Sequence, residues 1–162
     1  MVALSAPIAQ VEGVFNSVVI DGDAIDTYVQ VGRGAGELPT ASAVVADICD
    51  LARGIMVPTF SVPVADLKKV PTRAMSEHVG EYYVRLTLMD VPGVIADVAA
   101  ALRDHGVSME QMIQRGREEG KPVSVVMTTH KTSEANMVAA LDAIAALDNV
   151  VEAPHMIRIE NA

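Results

Sequence analysis

Residues 82–106, which read YYVRLTLMDVPGVIADVAAALRDHG, decide how the C-terminal half of this chain folds. The first eight of these residues alternate apolar with more polar side chains, which predicts a strand with one buried face. The Asp-Val-Pro-Gly sequence at 90–93 breaks the strand, and apolar residues then recur at helical spacing up to Gly106, a typical helix-ending glycine. The stretch therefore predicts a strand followed by an amphipathic helix that packs on an apolar sheet face.

The same pattern recurs in the rest of the C-terminal half. Residues 107–114 and 123–129 are predicted strands joined by a glycine-bounded turn, and Ser133 is a predicted N-cap for a second amphipathic helix. The last predicted strand covers residues 150–159, with a kink or bulge at Pro154. The order βαββαβ predicts an α+β domain, in which both helices cover one face of a four-stranded antiparallel sheet.

The N-terminal segment has a different pattern. Residues 14–20 and 27–31 are predicted strands of a hairpin whose turn is the Asp-Gly-Asp sequence at 21–23, and an apolar stripe predicts a helix over 37–53. A hairpin and one helix cannot enclose a core. We therefore interpret this segment as the end of a larger α/β region.

The domain boundaries follow from these patterns and from the prolines between them. Residues 1–54 are the predicted remnant of the larger region, residues 55–80 a proline-containing linker and residues 81–162 the C-terminal domain.

Composition excludes several classes of protein. The 162 residues carry 12 basic against 21 acidic side chains, and a net charge of −9 repels nucleic acid. A hydrophobic content of 51% excludes a largely disordered chain. No apolar run reaches membrane-spanning length and no signal peptide is evident, so we expect a cytoplasmic protein without a membrane partner. The single cysteine, Cys49, excludes a disulfide framework and is predicted to be a buried, unreactive thiol.

Two glycine-containing loops precede predicted helices, and the residue types leave each one open between a turn and a ligand site. In the 90–93 loop, Gly93 leaves room for a ligand, the N–H groups of Val94 and Ile95 point outward at the helix start, and Asp90 offers a carboxylate to an ammonium group. Residues 34–36, Gly-Ala-Gly, would admit a phosphate or ribose, although the G-x-G-x-x-G spacing is absent.

No pattern of catalytic residues stands out. The four histidines are scattered without metal-ligand spacing, so no metal site is expected, and no nucleophile–base arrangement or paired carboxylates are evident. Five methionines, at positions 109, 112, 127, 137 and 156, are predicted to face the core. The chain does not have the residues of a complete enzyme.

Two longer stretches resemble a known family. Residues 11–18, VEGVFNSV, and residues 32–47, GRGAGELPTASAVVAD, resemble the closing stretch of the catalytic region of bacterial homoserine dehydrogenase. Residues 82–159, with the Asp90-x-Pro92-Gly93 loop, resemble the ACT regulatory domain, which has the ferredoxin-like βαββαβ fold and follows the catalytic region in many members of that family.

The resemblance implies an oxidoreductase of amino-acid biosynthesis. The family interconverts aspartate semialdehyde and homoserine with NAD(P)H, on the route to threonine and methionine. Its Rossmann fingerprint and catalytic lysine have no counterpart here, so no catalytic residue is assigned, and this chain alone is expected to be inactive. The complete enzyme is expected to bind NAD(P), with Gly34, Ala35 and Gly36 at the cofactor, whereas this chain alone is expected to bind none. The resemblance also implies that the chain is a fragment or a truncated form.

For the ACT domain, the resemblance implies an amino-acid effector and a homodimer. Because an end product is the expected feedback inhibitor, threonine is the expected effector. The expected effector residues are Asp90, Gly93, Val94 and Ile95, completed across the paired domain by Gln111, Met112 and Gln114. The alternative is a free-standing ACT module that senses an amino acid and acts through a partner protein. An RNA-recognition domain shares the βαββαβ order but requires stacking aromatics and a basic surface, which are missing.

Overall fold

The computed structural model describes residues 1–56, 60, 62–116 and 119–160. The chain divides into two compact units. The N-terminal unit runs from Val2 to Thr72, and the C-terminal unit runs from Arg73 onward and includes Met1.

The N-terminal unit contains the predicted hairpin and helix. Strands β1 (Phe15–Gly22) and β2 (Asp26–Arg33) pair antiparallel, and helix α1 spans Glu37–Ala52. The hairpin is longer than predicted, since Gly22 pairs with Asp26 and the turn lies at residues 23–25 rather than 21–23. Asp26 accepts a positive φ of 53° at the end of this turn, a conformation in which aspartate is less strained than most residues.

The helix of this unit lies open to solvent within the chain. No residue of α1 is buried, and its apolar stripe is represented by Val44, Ile48 and Leu51, which are 54%, 58% and 63% exposed. Cys49 borders this stripe and is exposed, so the prediction of a buried thiol is wrong, because no described residue covers α1. The prediction that this segment cannot enclose a core agrees with the exposure of its helix.

The C-terminal unit has the predicted α+β architecture. Its elements are β3 (Val79–Met89), α2 (Val94–Asp104), β4 (Met109–Arg115), β5 (Pro122–Thr129), β6 (Thr132–Ser133), α3 (Glu134–Ala145) and β7 (His155–Ile159). All pairs are antiparallel: β3 lies between β5 and β7, β4 pairs with the outer side of β5, and the short β6 pairs with the start of β3. The last strand begins at His155 instead of residue 150, because Pro154 precedes it and Val150 makes only an isolated bridge to Leu88.

The core of this unit lies between one face of the sheet and the two helices. Tyr82, Val84, Leu86 and Leu88 of β3 are all 0% exposed. They pack with residues of both helices and of β5, namely Val94, Val98, Leu102, Val125, Met127, Met137, Ala140 and Ile144. Of the five predicted core methionines, Met127 and Met137 are buried and Met109 and Met156 pack against the core, whereas Met112 is 37% exposed because β4 is an outer strand of the sheet.

A partly buried polar cluster joins helix α3 to strand β7. The guanidinium of Arg158 donates two hydrogen bonds to the Glu134 carboxylate, one of them from Nε to Oε2 at 2.6 Å. Ser133 caps the same helix, since its Oγ accepts a hydrogen bond from the N–H of Asn136 at 3.2 Å. The N–H of Glu134 also donates to the carbonyl of His78 at 2.8 Å, which ties the start of α3 to the segment that leads into β3.

The pKa values of Glu134, Arg158 and the neighbouring Tyr82 are all shifted in this cluster. The hydrogen bond from Arg158 lowers the pKa of Glu134, against the opposing effect of burial. Burial raises the pKa of the Tyr82 hydroxyl, and the negative charge of Glu134 raises it further. Glu134 is therefore held ionised in the folded chain, at a position where only 6% of its surface is exposed.

The core packing yields a testable prediction. Ile144→Ala is expected to lower the free energy of unfolding by about 2–5 kcal/mol, because it leaves a cavity where a side chain with 0% exposure stood. Val138→Ala on the same helix is the control, since Val138 is 43% exposed and its change is expected to stay within about 0.5 kcal/mol. Urea denaturation measures both values, and equal losses would contradict the assignment of this core.

The polar cluster yields a prediction of pH dependence. A carboxylate with a lowered pKa stabilises the fold above its unfolded-state pKa, and this stabilisation is lost as the pH falls through its folded-state pKa. Glu134→Gln is therefore expected to lower the free energy of unfolding at pH 7, and the difference from wild type is expected to shrink in acid, as the pH falls below the ordinary glutamate pKa of about 4.3.

Denaturation across a pH series measures this effect. Asp142→Asn, which removes an exposed carboxylate from the same helix, is the control and is expected to leave the acid dependence of stability nearly unchanged. If wild type and Glu134→Gln differ by the same free energy of unfolding from neutral to acidic pH, the Glu134–Arg158 ion pair does not stabilise the fold as expected.

Candidate functional site

The 90–93 loop places an uncapped helix start at one end of the sheet. Gly93 is the N-cap of α2, has φ +96° and ψ −24°, and no side chain caps the helix there. The first intrahelical bond runs from Asp97 N–H to the Gly93 carbonyl at 3.0 Å. The N–H groups of Val94 and Ile95 precede this bond and have no acceptor within the helix, while the side chain of Val94 is buried in the core.

The left-handed conformation explains why glycine stands at position 93. Residues with a Cβ are strained at a φ near +96°, and glycine is not. A Cβ built on Gly93 would meet no heavy atom within 4 Å. Backbone conformation, and not lack of space, therefore favours glycine at position 93. The space in front of the loop is open to a ligand.

A second loop completes a pocket beside the 90–93 loop. The N–H of Asp90 donates to the Lys121 carbonyl at 2.9 Å, and the N–H of Gly120 donates to the Asp90 carbonyl at 3.0 Å. These bonds extend the β3–β5 pairing past the last strand pair and bring Glu119 to the site. The resulting cavity of about 390 Å³ is lined by Asp90, Val91, Pro92 and Glu119.

Glu119 is a residue that the sequence analysis did not identify. It lies nearly thirty residues after Asp90 in a charged turn, and its charge alone gave no indication of a site. The strand register is the signal that finds it, because Met89 pairs with Pro122 and the residues beyond that pair must face each other.

The predicted effector residues of strand β4 separate onto two faces of the sheet. Gln114 pairs with the core-facing Val125, and its Nε2 donates to Asp90 Oδ1 at 3.3 Å, so these two predicted residues are brought together. Met112 lies on the same face as Gln114. Gln111 pairs with Thr128 and lies on the opposite face, where it does not adjoin the Asp90 loop of its own chain.

The lining of this cavity and the helix start next to it have opposite electrostatic character. The start of α2 presents backbone donors and the positive end of the helix dipole, which favour a carboxylate. Asp90 and Glu119 contribute two carboxylates to the same cavity, which favour an ammonium group. Among the described residues that line the pocket, no nucleophile lies beside a base.

The predicted cofactor loop, residues 34–36, starts helix α1 in the N-terminal unit. Gly36 is the N-cap with φ +128°, and no side chain caps the helix. Gly34 donates its N–H to the Val14 carbonyl at 2.9 Å, and a Cβ built on it would lie 1.6 Å from Nδ2 of Asn16. The close approach at Gly34 is therefore to the hairpin's own asparagine side chain.

A shallow cleft of about 250 Å³ lies beside this loop. It is lined by Asn16, Ser17, Val18, Gln30, Gly32, Arg33 and Gly34. Ser17 Oγ is buried and has no hydrogen-bond partner among the described residues, while the Arg33 guanidinium lies 5.6 Å from the centre of the Phe15 ring. These donors fit a phosphate or a ribose, and the cleft is too small for a complete dinucleotide.

Two kinds of site are absent from the described residues. No group of three or more His, Cys, Asp or Glu side chains in the described ranges could hold a metal ion. No helix in the part of the chain that the structure describes is both long and apolar enough to cross a membrane.

Comparison with known proteins identifies two matching families. Residues 82–149 match the ACT domain family, and residues 1–49 match the homoserine dehydrogenase family. Homoserine dehydrogenase of Neisseria gonorrhoeae is 38% identical over 160 residues, which cover 95% of this chain and 37% of that protein. The corresponding Synechocystis protein is 36% identical over 166 residues, covering 98% of this chain and 38% of the relative.

A solved structure extends the similarity to the fold. The homoserine dehydrogenase from Thiobacillus denitrificans superposes with a TM-score of 0.83 and 36% identity, over 99% of this chain and 37% of that one. This chain therefore spans little more than a third of the length of the relatives that it matches.

The left-handed glycine yields a prediction for the loop itself. Gly93→Ala is expected to lower the free energy of unfolding by about 1 kcal/mol, because alanine is strained in this conformation although its Cβ meets nothing. Gly93→Asn is expected to lose less, since asparagine tolerates the left-handed region better. Urea denaturation compares the two variants, and a larger loss for asparagine would show that space, not backbone strain, selects glycine.

Proposed function

We propose that this chain, which joins the end of a homoserine dehydrogenase catalytic region to an ACT domain, is the regulatory part of that enzyme and binds an amino-acid effector. The pocket lined by Asp90, Val91, Pro92 and Glu119 carries this proposal, because it holds two carboxylates and lies next to the uncapped start of α2. The complete enzyme would interconvert aspartate semialdehyde and homoserine with NAD(P).

The effector that we propose is threonine. Its carboxylate would accept hydrogen bonds from the N–H groups of Val94 and Ile95, and its ammonium group would lie between Asp90 and Glu119. The side-chain amide of Gln114, already bonded to Asp90, is placed to meet the effector's hydroxyl. Threonine is the pathway end product that the family resemblance suggests as a feedback inhibitor.

The chain alone is proposed to be inactive as a dehydrogenase. The N-terminal unit holds the 34–36 loop, whose uncapped helix start and neighbouring Arg33 suit one phosphate or ribose of NAD(P). When bound, that cofactor would supply the hydride. The exposed apolar stripe of α1 is the surface that we propose packs against the rest of the catalytic region.

We propose that the ACT domain forms a homodimer through strand β4. This strand is an outer member of the sheet and carries Met112 and Ile113, which are 37% and 52% exposed. Pairing of outer strands would satisfy open backbone groups and cover these side chains. It would also bring Met112 of one chain toward the effector pocket of its partner, whereas Gln111 lies on the opposite face of the sheet.

A second candidate function is a free-standing sensor that acts through a partner protein. The observation that favours it is the independent core of the C-terminal unit, which packs residues of β3, α2, β5 and α3 together without the N-terminal unit. Threonine inhibition of a full-length homoserine dehydrogenase that contains this sequence would favour the regulatory-part proposal over the sensor.

Isothermal titration calorimetry with threonine tests the effector site. Asp90→Asn is expected to weaken threonine binding about tenfold or more, because it removes a charge-assisted hydrogen bond to the ammonium group. The matched control is Asp97→Asn. Asp97 is an exposed carboxylate in the first turn of α2 that does not line the pocket, so this variant is expected to bind threonine with the affinity of wild type.

The titration distinguishes the identity of the effector from the location of its site. Binding of another amino acid that Asp90→Asn weakens would reject threonine and retain the site. Equal binding of threonine by wild type and Asp90→Asn would place the effector elsewhere.

A further inference from the structure

The sheet of the C-terminal unit has a second face, opposite the helices, and a groove lies on it between β3 and β7. Arg85 of β3 pairs directly with His155 of β7, and Tyr83 pairs with Ile157. These residues alternate with the core-facing side chains of β3 and so lie on the other face. The groove has a volume of about 430 Å³ and is lined by Met1, Tyr83, Arg85, His155, Met156 and Ile157.

Arg85, which is a cation, and His155, whose imidazole can donate an N–H hydrogen bond, lie opposite each other in this groove. Within the described ranges, neither Arg85 nor His155 forms an ion pair or a hydrogen bond through its side chain. Glu152 lies close along this face, but its Oε2 accepts a hydrogen bond from Thr87 Oγ1 at 3.0 Å. On a chain with net charge −9, this is a local site for an anion.

The remaining lining of the groove is apolar. Tyr83 and Met156 are half-buried, and Ile157 is 48% exposed. Small-molecule pockets combine such apolar walls with a few polar groups that fix orientation, and 430 Å³ is within their usual range of sizes. A fully hydrated inorganic anion would make no use of the Tyr83 and Ile157 walls.

We propose that this groove binds a small organic carboxylate. The carboxylate lies between the Arg85 guanidinium and the His155 imidazole, and the apolar body lies on Tyr83 and Ile157. The site is separate from the effector pocket, since the two share no lining residue. It also differs in charge, because the effector pocket contains two carboxylates that repel an organic anion. The inference does not depend on the proposed effector.

Nuclear magnetic resonance titration of the ¹⁵N-labelled full chain tests this inference, with hexanoate as the probe. Hexanoate is expected to shift the amide signals of residues 83–85 and 155–157. Hexan-1-ol has the same apolar chain without the charge, and hexylammonium has the opposite charge. Both are expected to shift these signals much less at the same concentration.

Matched variants test the role of the arginine. Arg85→Gln is expected to weaken hexanoate binding about tenfold or more, because it removes a charge-assisted hydrogen bond. Arg103→Gln is the control: it removes an arginine of α2 that is exposed and paired with Asp104 at 2.7 Å, and it is expected to leave the affinity unchanged. Both positions are exposed, so the fold tolerates either change.

Three results would overturn the proposal. The first is the absence of any shift at millimolar hexanoate. The second is an equal response to hexan-1-ol, or an affinity that Arg85→Gln leaves unchanged. The third is a set of shifts confined to residues 90–95 and 119–121, which would show that hexanoate binds in the effector pocket. That result would not decide the proposed function, which the threonine titration tests separately.

Discussion

The burial of one face of strand β3 is the constraint on which the C-terminal unit depends. Tyr82, Val84, Leu86 and Leu88 are completely buried, so a shift of register by one residue would bring the polar face of the strand into the core. The last residue pair between β3 and β5 is Met89 with Pro122. Because the register of these strands is fixed, it also determines which residues of the two following loops lie next to each other. Core packing therefore places Glu119 beside Asp90 and forms the cavity that we propose binds the effector.

The two units differ in how their apolar residues are used. Both have apolar stripes on their helices, but α2 and α3 cover a sheet, whereas α1 has no buried residue. An amphipathic stripe stabilises a fold only when a second surface removes it from water. This difference agrees with a chain that spans 37% of its Neisseria relative, and it explains why the more complete pocket belongs to the C-terminal unit.

Strand β3 also joins the polar features of the C-terminal unit. The segment that leads into the strand is bonded at His78 to Glu134, which pairs with Arg158, and the strand ends one residue before Asp90. Arg85 lies between these points on the other face. A ligand at either site changes another region of the protein only if it binds two conformations of the protein with different affinities. The free energy of coupling between two such sites is typically about 1–3 kcal/mol. A packed central strand with contacts at both ends is a direct physical connection for such a coupling.

The local patterns of the sequence were sufficient for the order of the main helices and strands and for the 90–93 loop, because strand alternation, helical spacing and the glycine and serine at helix ends act over a few residues. They did not give the hairpin turn, the short strand β6 or the start of β7. The positions of Glu119, of Gln111 on the opposite face and of Arg85 against His155 were decided only by the tertiary structure, since each depends on strand register between distant segments. The exposure of Cys49 had the same cause: a stripe of apolar residues shows that a helix can be covered, and only the folded chain shows whether a covering surface is present.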